Sequence, residues 1–293
     1  MGRLELIGVP IDSVGRSGGT ELAPAKLREL GLASALGAKD GGDLAVRIRG
    51  EERDPDTGIL GSADVLAATS RIRGAVGSAL RAGDRPFLVG GCCAELPGAL
   101  AGARDALHRV GLAYVDGHLD LYDGVTSPTG EAADMPVAVA LGRGPELWVQ
   151  ACGGASLAVE DTAIVGYRDK EESISYGMLQ PEELGPDLTH LSADEVRAEG
   201  PGAAGTRVAA SLGSGTRFWL HLDVDVLDQD VFPATDYLLP NGMTWEELRD
   251  ALRPLAASPS LAGVSLACYN PEKDPGLRCG RALVDALADA FSP

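Results

Sequence analysis

Short apolar segments alternate with longer helical segments in this chain, and this alternation restricts its fold more than any other feature. We predict that six segments rich in Val, Ile, Leu and aromatic residues are strands: Leu4–Val9, Pro86–Val89, Val110–Val115, Ala163–Tyr167, Phe218–Val226 and Leu261–Tyr269. Strands that are covered on both faces have few polar positions, so these runs indicate a parallel sheet between helices. The pattern predicts an α/β fold, a three-layer α/β/α sandwich with a mostly parallel central sheet.

The segments between the apolar runs include five with a helical pattern. They are Asp64–Ala82, Ala94–His108, Ser192–Glu199, Thr244–Arg253 and Gly280–Ala290. Two of them begin with a capping box, at Ser192 and at Thr244. The Ala/Gly-rich stretch Pro201–Gly205 is predicted to be a surface turn. Because no segment has the composition of a linker, we expect residues 1–293 to form a single domain.

The charge balance narrows the range of partners. The chain has 25 Lys and Arg against 43 Asp and Glu, a net charge of −18. Such a surface repels phosphate backbones and anionic lipids, so we expect neither nucleic acid nor membrane as a partner. The first residues lack the apolar run of an export signal, and the five cysteines are an odd number that includes an adjacent pair. Both observations favour a cytoplasmic protein with reduced thiols.

A first cluster of candidate metal ligands follows the predicted strand Val110–Val115. Asp116, His118 and Asp120 occupy alternate positions there. If the backbone stays extended, alternate side chains share a face, and all three could reach one ion. Taken alone, the same spacing fits equally well with loop carboxylates that cap or turn the chain.

A second cluster ends the predicted strand Phe218–Val226. Asp223 and Asp225 point to the same side of a very apolar run, where an ionised carboxylate loses several kcal/mol unless it is paired or bound to a metal. A cation is therefore their expected partner. His221 shares this side, and we predict for it a packing or orienting role beside the site. Two such clusters at strand ends of one α/β chain predict a metal site.

Together these segments resemble the metal-binding motifs of the ureohydrolase (arginase, agmatinase and formimidoylglutamase-like) family, which read GGDH, DAHxD and SxDxDxxDP. The counterparts here are Gly90–Cys93, Asp116–Asp120 and His221–Asp228. The opening Gly8-Val9-Pro10 and the late Tyr269-Asn270-Pro271 are also similar to the family's segments. The resemblance runs nearly end to end and implies an arginase-like fold.

The resemblance also implies an activity and a cofactor. The activity is that of an enzyme that hydrolyses a linear C–N bond of a small guanidino, amidino or ureido compound, with a metal-activated hydroxide as the attacking group. Two Mn²⁺ ions would be bound by Asp116, His118, Asp120, Asp223, Asp225 and Cys93. In this arrangement Asp116 and Asp223 bridge the ions, and Asp120 is also the catalytic residue that passes a proton to the leaving amine. The family further implies a homo-oligomer, a trimer or a hexamer.

The first motif departs from the family. Cys92 and Cys93 stand where the family has aspartate and histidine. A thiolate at Cys93 suits zinc or iron better than manganese. The alternative is that both cysteines are small buried residues that pack between strand and helix.

The substrate-binding positions depart as well. Cys268 stands where arginase-type members have a glutamate for the guanidinium group, and Ala133 stands where they have an assisting histidine. The candidates to replace the lost anion are Glu131, Glu272 and Asp274. Arginine is therefore a poor candidate substrate. Two alternatives stay open: hydrolysis of an amide at a single zinc ion, as in deacetylases, and a non-catalytic relative.

Overall fold

The computed structural model describes residues 2–16 and 18–292. Eight strands form one sheet, with the bounds β1 Leu4–Val9, β2 Lys39–Asp43, β3 Arg85–Gly90, β4 Gly111–Val115, β5 Thr162–Tyr167, β6 Thr189–Ser192, β7 Phe218–Asp223 and β8 Leu261–Ala267. Their order across the sheet is β2-β1-β3-β8-β7-β4-β5-β6, and every neighbouring pair is parallel. The predicted parallel sheet is confirmed.

Helices cover both faces of this sheet. Their bounds are α1 Ala23–Glu29, α2 Leu32–Ala35, α3 Ser62–Arg81, α4 Leu96–Leu107, α5 Pro136–Ala140, α6 Glu146–Ala151, α7 Lys170–Ser175, α8 Ala193–Glu199, α9 Pro201–Gly213, α10 Trp245–Ala256 and α11 Arg278–Ala290. One apolar core joins α3 and α4 to the sheet face that carries Trp219, and a second core joins α10 and α11 to the face that carries Leu220. The three-layer α/β/α fold is therefore confirmed. Within the described ranges, no helix combines the length and the hydropathy of a membrane span.

Each of the six predicted strands matches an observed one, and two strands have no counterpart in the prediction. Strand β2 has the sequence KDGGD and is exposed along its whole length, and β6 is a four-residue strand at the opposite edge. Edge strands contact a neighbour on one side only, so they need no continuous apolar run. The periodicity that indicates central strands is therefore missing from them.

Two predicted strands extend too far. Strand β7 ends at Asp223, and Val224–Val226 form a turn of 3₁₀ helix. The cause is local, because the Asp223 carboxylate accepts a hydrogen bond from the backbone N–H of Asp225 at 2.8 Å. Strand β8 likewise ends at Ala267, because Cys268 adopts a left-handed conformation with φ 68°. The residues that follow β7 and β8 therefore leave the sheet at the same edge.

The prediction of a surface turn at Pro201–Gly205 is wrong. These residues begin α9, which crosses α10 closely. A Cβ atom on Gly205 would lie 2.2 Å from the carbonyl oxygen of Ala251, so the glycine is there to let the two backbones approach. Both predicted capping boxes, at Ser192 and Thr244, are confirmed.

Candidate metal centre

The candidate metal ligands lie at the carboxyl ends of the four central strands. Cys93 follows β3, Asp116 follows β4, Asp223 ends β7 and Cys268 follows β8. Because β3, β8, β7 and β4 are neighbours and run parallel, these four residues meet at one edge of the sheet. This edge is where ligands bind in open α/β sheets.

Cys93, Asp116, His221 and Asp223 form a compact cluster that we call the inner group. The Cys93 sulfur lies 2.7 Å from Asp223 Oδ2, 3.8 Å from Asp116 Oδ2 and 3.2 Å from His221 Nε2. The potential ligand atoms of all four residues lie within 4.8 Å of one another, and all four side chains are buried. Their spacing is suitable for one metal ion.

Asp116, His118 and Asp225 form a second cluster, the outer group, which shares Asp116 with the inner group. His118 Nδ1 lies 3.5 Å from Asp116 Oδ1 and 3.2 Å from Asp225 Oδ2. The His118 side chain is 23% exposed, so this cluster faces the solvent side of the inner group. A shared carboxylate between two donor groups is the arrangement that can bridge two cations.

Backbone contacts hold the outer group in place. The backbone N–H of His118 donates to Asp116 Oδ1 at 2.7 Å, and that of Gly117 donates to Asp225 Oδ1 at 3.2 Å. The guanidinium group of Arg168 donates to the carbonyl oxygens of Asp225 at 2.7 Å and Val226 at 3.0 Å. These contacts fix the two loops relative to each other, so the ligand atoms are arranged before any ion binds.

Burial changes the acidity of the inner group. Burial, together with the neighbouring Asp225 and Asp116, raises the pKa of Asp223 well above its ordinary value. Burial, the Cys268 thiol and the Asp223 carboxylate raise the pKa of Cys93 in the same direction. The cause in both cases is negative charge gathered away from water, which a bound cation relieves.

The two histidines of the site behave in opposite ways. Burial lowers the pKa of His118, but the carboxylates of Asp225 and Asp116 outweigh burial and raise this pKa well above its ordinary value. Burial lowers the pKa of His221 to about 4. His221 is therefore neutral near neutral pH, and a neutral ring has a nitrogen lone pair available to a metal ion.

Asp120 lies in the same cavity but belongs to neither group. Its φ of 50° breaks the extended backbone on which the predicted alternation depends. The Tyr114 hydroxyl donates a hydrogen bond to Asp120 Oδ2. Burial and the charge of Asp116 raise the pKa of Asp120 well above its ordinary value. The side chain is thus suited to carry a proton.

The three candidates to replace the lost guanidinium-binding anion lie outside the cavity lining. Glu131 is buried and accepts a hydrogen bond from the Tyr237 hydroxyl at 2.7 Å, and burial raises its pKa to about 7. Glu272 is exposed, and Asp274 accepts a hydrogen bond from Tyr269 at 3.0 Å. Cys268 does lie at the site, with its sulfur 3.8 Å from that of Cys93.

His221 lies among the candidate ligands of the inner group. Its side chain is fully buried with Nε2 3.2 Å from the Cys93 sulfur, and the packing or orienting role predicted for it stays a prediction. Position on the same strand face as Asp223 was the available signal. Cys92, by contrast, packs in the apolar core. This matches the alternative prediction that the cysteines are small buried packing residues.

The cavity above both groups has a volume of about 270 Å³. Three further acids line it, Asp134, Asp169 and Glu172, together with Tyr122 and Tyr237. Among the described residues that line it, none is a lysine or an arginine. The excess of carboxylates over cations in a buried space fits the binding of divalent metal.

Comparisons with known proteins agree with this fold. The profile of the arginase family matches residues 3–292. The arginase of Brevibacillus brevis is 24% identical over 295 residues, which cover 98% of this chain and 97% of the relative. The crystal structure of Bacillus caldovelox arginase superposes with a TM-score of 0.88 at 24% identity, covering 100% of this chain and 99% of the other.

The fold is shared beyond arginases. Formimidoylglutamase from Bacillus subtilis has a TM-score of 0.76 at 18% identity, with 99% of this chain and 86% of the other covered. Sequence identity at this level supports the shared fold alone. The assignment to a family therefore rests on the family profile, which matches residues 3–292. On that match, the chain belongs to the arginase family.

Proposed function

We propose that the chain is a metal-dependent hydrolase that cleaves a linear C–N bond of a small guanidino, amidino or ureido compound. The observation that carries the proposal is the meeting of the inner and outer groups at Asp116, which gives two adjacent donor groups in one cavity. Membership of the arginase family supports the same chemistry.

The proposal includes two divalent ions, one in each group. The outer group offers two carboxylates and one imidazole, and carboxylates are the donors that suit Mn²⁺. Asp116, which both groups share, Asp223 of the inner group and Asp120 would be ligands of these ions. Divalent ions held by these residues would lower the pKa of an attacking water and would polarise the substrate.

Asp120 is the proposed proton carrier. Its carboxylate takes a proton from the attacking water as the oxygen bonds to the substrate carbon, and gives it to the nitrogen as the C–N bond breaks. The Tyr114 hydroxyl, which donates to Asp120 Oδ2, holds this carboxylate in one orientation. Burial and the charge of Asp116 raise the pKa of Asp120 above its ordinary value, the direction that makes its carboxylate a better proton acceptor.

The cavity lining favours a substrate with a positive charge and no carboxylate. Asp134, Asp169 and Glu172 attract cations, and no lysine or arginine among the lining residues would neutralise an anionic tail. A volume of about 270 Å³ restricts the substrate to a small molecule. We therefore propose a guanidino or amidino compound whose distal end is an amine or a neutral polar group.

A second candidate function rests on the outer group alone. Two carboxylates and one imidazole, from Asp116, Asp225 and His118, are a complete set of protein ligands for a single catalytic zinc. In that case the chain hydrolyses an amide such as an acylated amine. Metal content and reaction product separate the two candidates, since the amide hydrolase needs one ion and releases a carboxylic acid.

The test compares substrates that differ in the charge of the distal end and in the C–N bond that is hydrolysed. Metal-free protein is loaded with Mn²⁺, Zn²⁺ or Fe²⁺ and incubated with agmatine, arginine, guanidinobutyrate and an acetylated diamine. We expect urea from agmatine and far less from guanidinobutyrate, whose carboxylate faces the acidic lining. We expect Asp120→Asn to lower kcat by about 10²- to 10⁴-fold, the usual contribution of one proton carrier.

The control is His108→Asn, which changes an exposed histidine in a left-handed conformation that asparagine tolerates. This variant should keep full activity. Release of acetate without urea would favour the amide hydrolase. No turnover of any probe by fully metal-loaded protein would refute both functions and leave the non-catalytic relative.

We also propose three properties of the whole protein. These are a single domain, a cytoplasmic location and a homotrimer or homohexamer. Sedimentation of the purified protein and fractionation of the cells that produce it check the last two.

A further inference from the structure

Two positions at which this chain departs from the family's motifs contact each other. In the resemblance to those motifs, Cys93 takes the place of a histidine in the first motif, and His221 takes the place of a serine in the third. They lie 128 residues apart in sequence, yet the Cys93 sulfur and His221 Nε2 are 3.2 Å apart. Cys93 is 2% exposed and His221 is fully buried, so the contact is shielded from solvent.

His221 is held so that Nε2 points at the inner group. It pairs in register with Ser265 on β8, and its Nδ1 lies 2.7 Å from the Ser265 hydroxyl. On the other side it pairs with Tyr114 on β4, and the two rings stack with centroids 5.0 Å apart and 6° between their planes. When Nδ1–H donates to Ser265, the lone pair of Nε2 faces Cys93.

This pattern is typical of a metal-bound histidine. Such a ring usually donates its second N–H to a neighbouring acceptor, which fixes the tautomer and the orientation. The Ser265 hydroxyl itself accepts a hydrogen bond from the Trp219 indole at 2.9 Å. The acceptor is therefore fixed as well, and the ring has little freedom to turn away from the site.

We propose that Cys93 and His221 are a pair of metal ligands which, with Asp116 and Asp223, make the inner group a site for zinc or ferrous iron in preference to manganese. Thiolate and imidazole are softer donors than the carboxylates that Mn²⁺ prefers, and they are common zinc ligands. The inference deepens the proposed function, on which it rests for the role of the ion. The metal centre would then hold two different ions: zinc or ferrous iron in the inner group, and an ion bound by oxygen and nitrogen donors in the outer group.

The first test reads the sulfur–metal bond directly. Metal-free protein, kept reduced because the Cys93 and Cys268 sulfurs are 3.8 Å apart, is titrated with Co²⁺ as a spectroscopic substitute for Zn²⁺. We expect thiolate-to-cobalt charge-transfer absorption in the near ultraviolet, which Zn²⁺ abolishes and Mn²⁺ does not. Cys93→Ser should lose the absorption, whereas Cys279→Ser, which changes a cysteine in α11, should keep it.

A second test guards against variants that fail to fold. The double variant Cys93→His with His221→Ser replaces both residues by those of the family's motifs. We expect it to fold and to show no thiolate absorption with Co²⁺. The ratio of its Mn²⁺ affinity to its Zn²⁺ affinity should be at least about 10-fold higher than in the natural chain, a change of the size that other changes in ligand environment cause.

The outcomes separate this inference from the proposed function. A natural chain that shows no thiolate absorption, or that binds Mn²⁺ as tightly as Zn²⁺ in the inner group, overturns the inference even if it releases urea. Thiolate absorption that disappears in Cys93→Ser and persists in Cys279→Ser supports it, even if no probe is hydrolysed.

Discussion

At the scale of single residues, the site depends on contacts that orient its ligands. Ser265 is the clearest example, since its hydroxyl contacts both His221 Nδ1 and Trp219 Nε1. The serine touches no proposed substrate atom, so its role is to position the imidazole. It lies on β8, whereas the residues that it contacts lie on β7, and no motif in the sequence signals the interaction.

We predict that Ser265→Ala weakens binding of Zn²⁺ to the inner group by about 10- to 100-fold, the usual effect of removing a group that orients a ligand. Trp219→Phe is the matched control, because it removes the indole hydrogen bond to Ser265 and leaves the contact with His221. It should change the free energy of unfolding more than it changes zinc affinity. Competition with a chromophoric chelator measures the affinity, and equal affinities for Ser265→Ala and the natural chain would refute the orienting role.

Glu95 is a second residue with a measurable consequence. Its side chain is fully buried, and among the described residues no hydrogen-bond partner is found for either carboxylate oxygen. Burial and the charge of Asp223 raise its pKa well above its ordinary value of 4.5. A raised pKa in the folded state means that this group favours folding below about pH 4.5 and costs stability as the pH rises through the folded pKa.

We predict that Glu95→Gln stabilises the metal-free protein by about 1 to 3 kcal/mol at about pH 8, because at that pH the unfolded chain gains from an ionised Glu95 carboxylate that the folded protein disfavours. The gain should shrink as the pH falls toward 4.5, the ordinary pKa of the side chain. Urea denaturation at both pH values measures it, with the exposed Glu52→Gln as the control. A gain that is the same at both pH values would contradict the assignment to charge burial.

At the scale of elements, the central strands were predictable, whereas the carboxyl ends of β7 and β8 were not. Apolar runs mark strands that are buried on both faces, which is why β1 has the predicted bounds. The ends depend on single contacts, such as the Asp223 carboxylate that accepts the Asp225 N–H, or on one backbone angle, as at Cys268. These features place the ligands. The cluster of acids was predictable from the strand ends, and the shared position of Asp116 was implied only by the family resemblance, whereas the left-handed backbone at Asp120 was not predictable.

Close packing between helices was also missed from the sequence. Pro201–Gly205 has the composition of a turn, but its glycine at position 205 serves the crossing of α9 and α10. Composition cannot distinguish a glycine that bends the chain from one that lets another backbone approach. Only the position of Ala251, which is distant in sequence, settles the matter.

We predict that Gly205→Ala destabilises the protein by about 1 to 3 kcal/mol, the usual cost of overpacking, because its Cβ would meet the Ala251 carbonyl oxygen at 2.2 Å. Gly202→Ala in the same helix is the matched control. Its Cβ would approach only the Asp250 carbonyl oxygen, at 3.7 Å, and alanine favours helix by about 0.5 to 1 kcal/mol. The midpoint temperature of thermal unfolding should therefore fall for Gly205→Ala and rise for Gly202→Ala. Shifts in the same direction would contradict the close crossing of α9 and α10.

At the scale of the whole molecule, the acids behind the net charge of −18 lie in two kinds of place, the surface and the candidate metal centre. Most acids lie on the surface, whereas Asp116, Asp223 and Asp225 are gathered in the interior with few cations nearby. Without metal, these acids and Cys93 compete for protons. The stability of the molecule should therefore be coupled to both metal and pH.

We predict that metal stabilises the protein, by about 2.7 kcal/mol at 100 times Kd, and that its affinity rises with pH. Asp223 and Cys93 both have raised pKa values and must lose protons before they bind the ion. Calorimetric titration in buffers of different ionisation enthalpy counts the protons released. An affinity that does not change with pH would mean that these two groups do not bind the metal.

The most direct test of the account is the number of metal ions per chain in three variants that separate the two groups. Elemental analysis of protein loaded with Zn²⁺ and Mn²⁺ together should give two ions for the natural chain. Cys93→Ser should lose the inner ion, Asp225→Asn the outer ion, and Asp116→Asn, which changes the shared ligand, should weaken both. The same metal content in all four proteins, or none in the natural chain, would contradict a centre built on two groups that share Asp116.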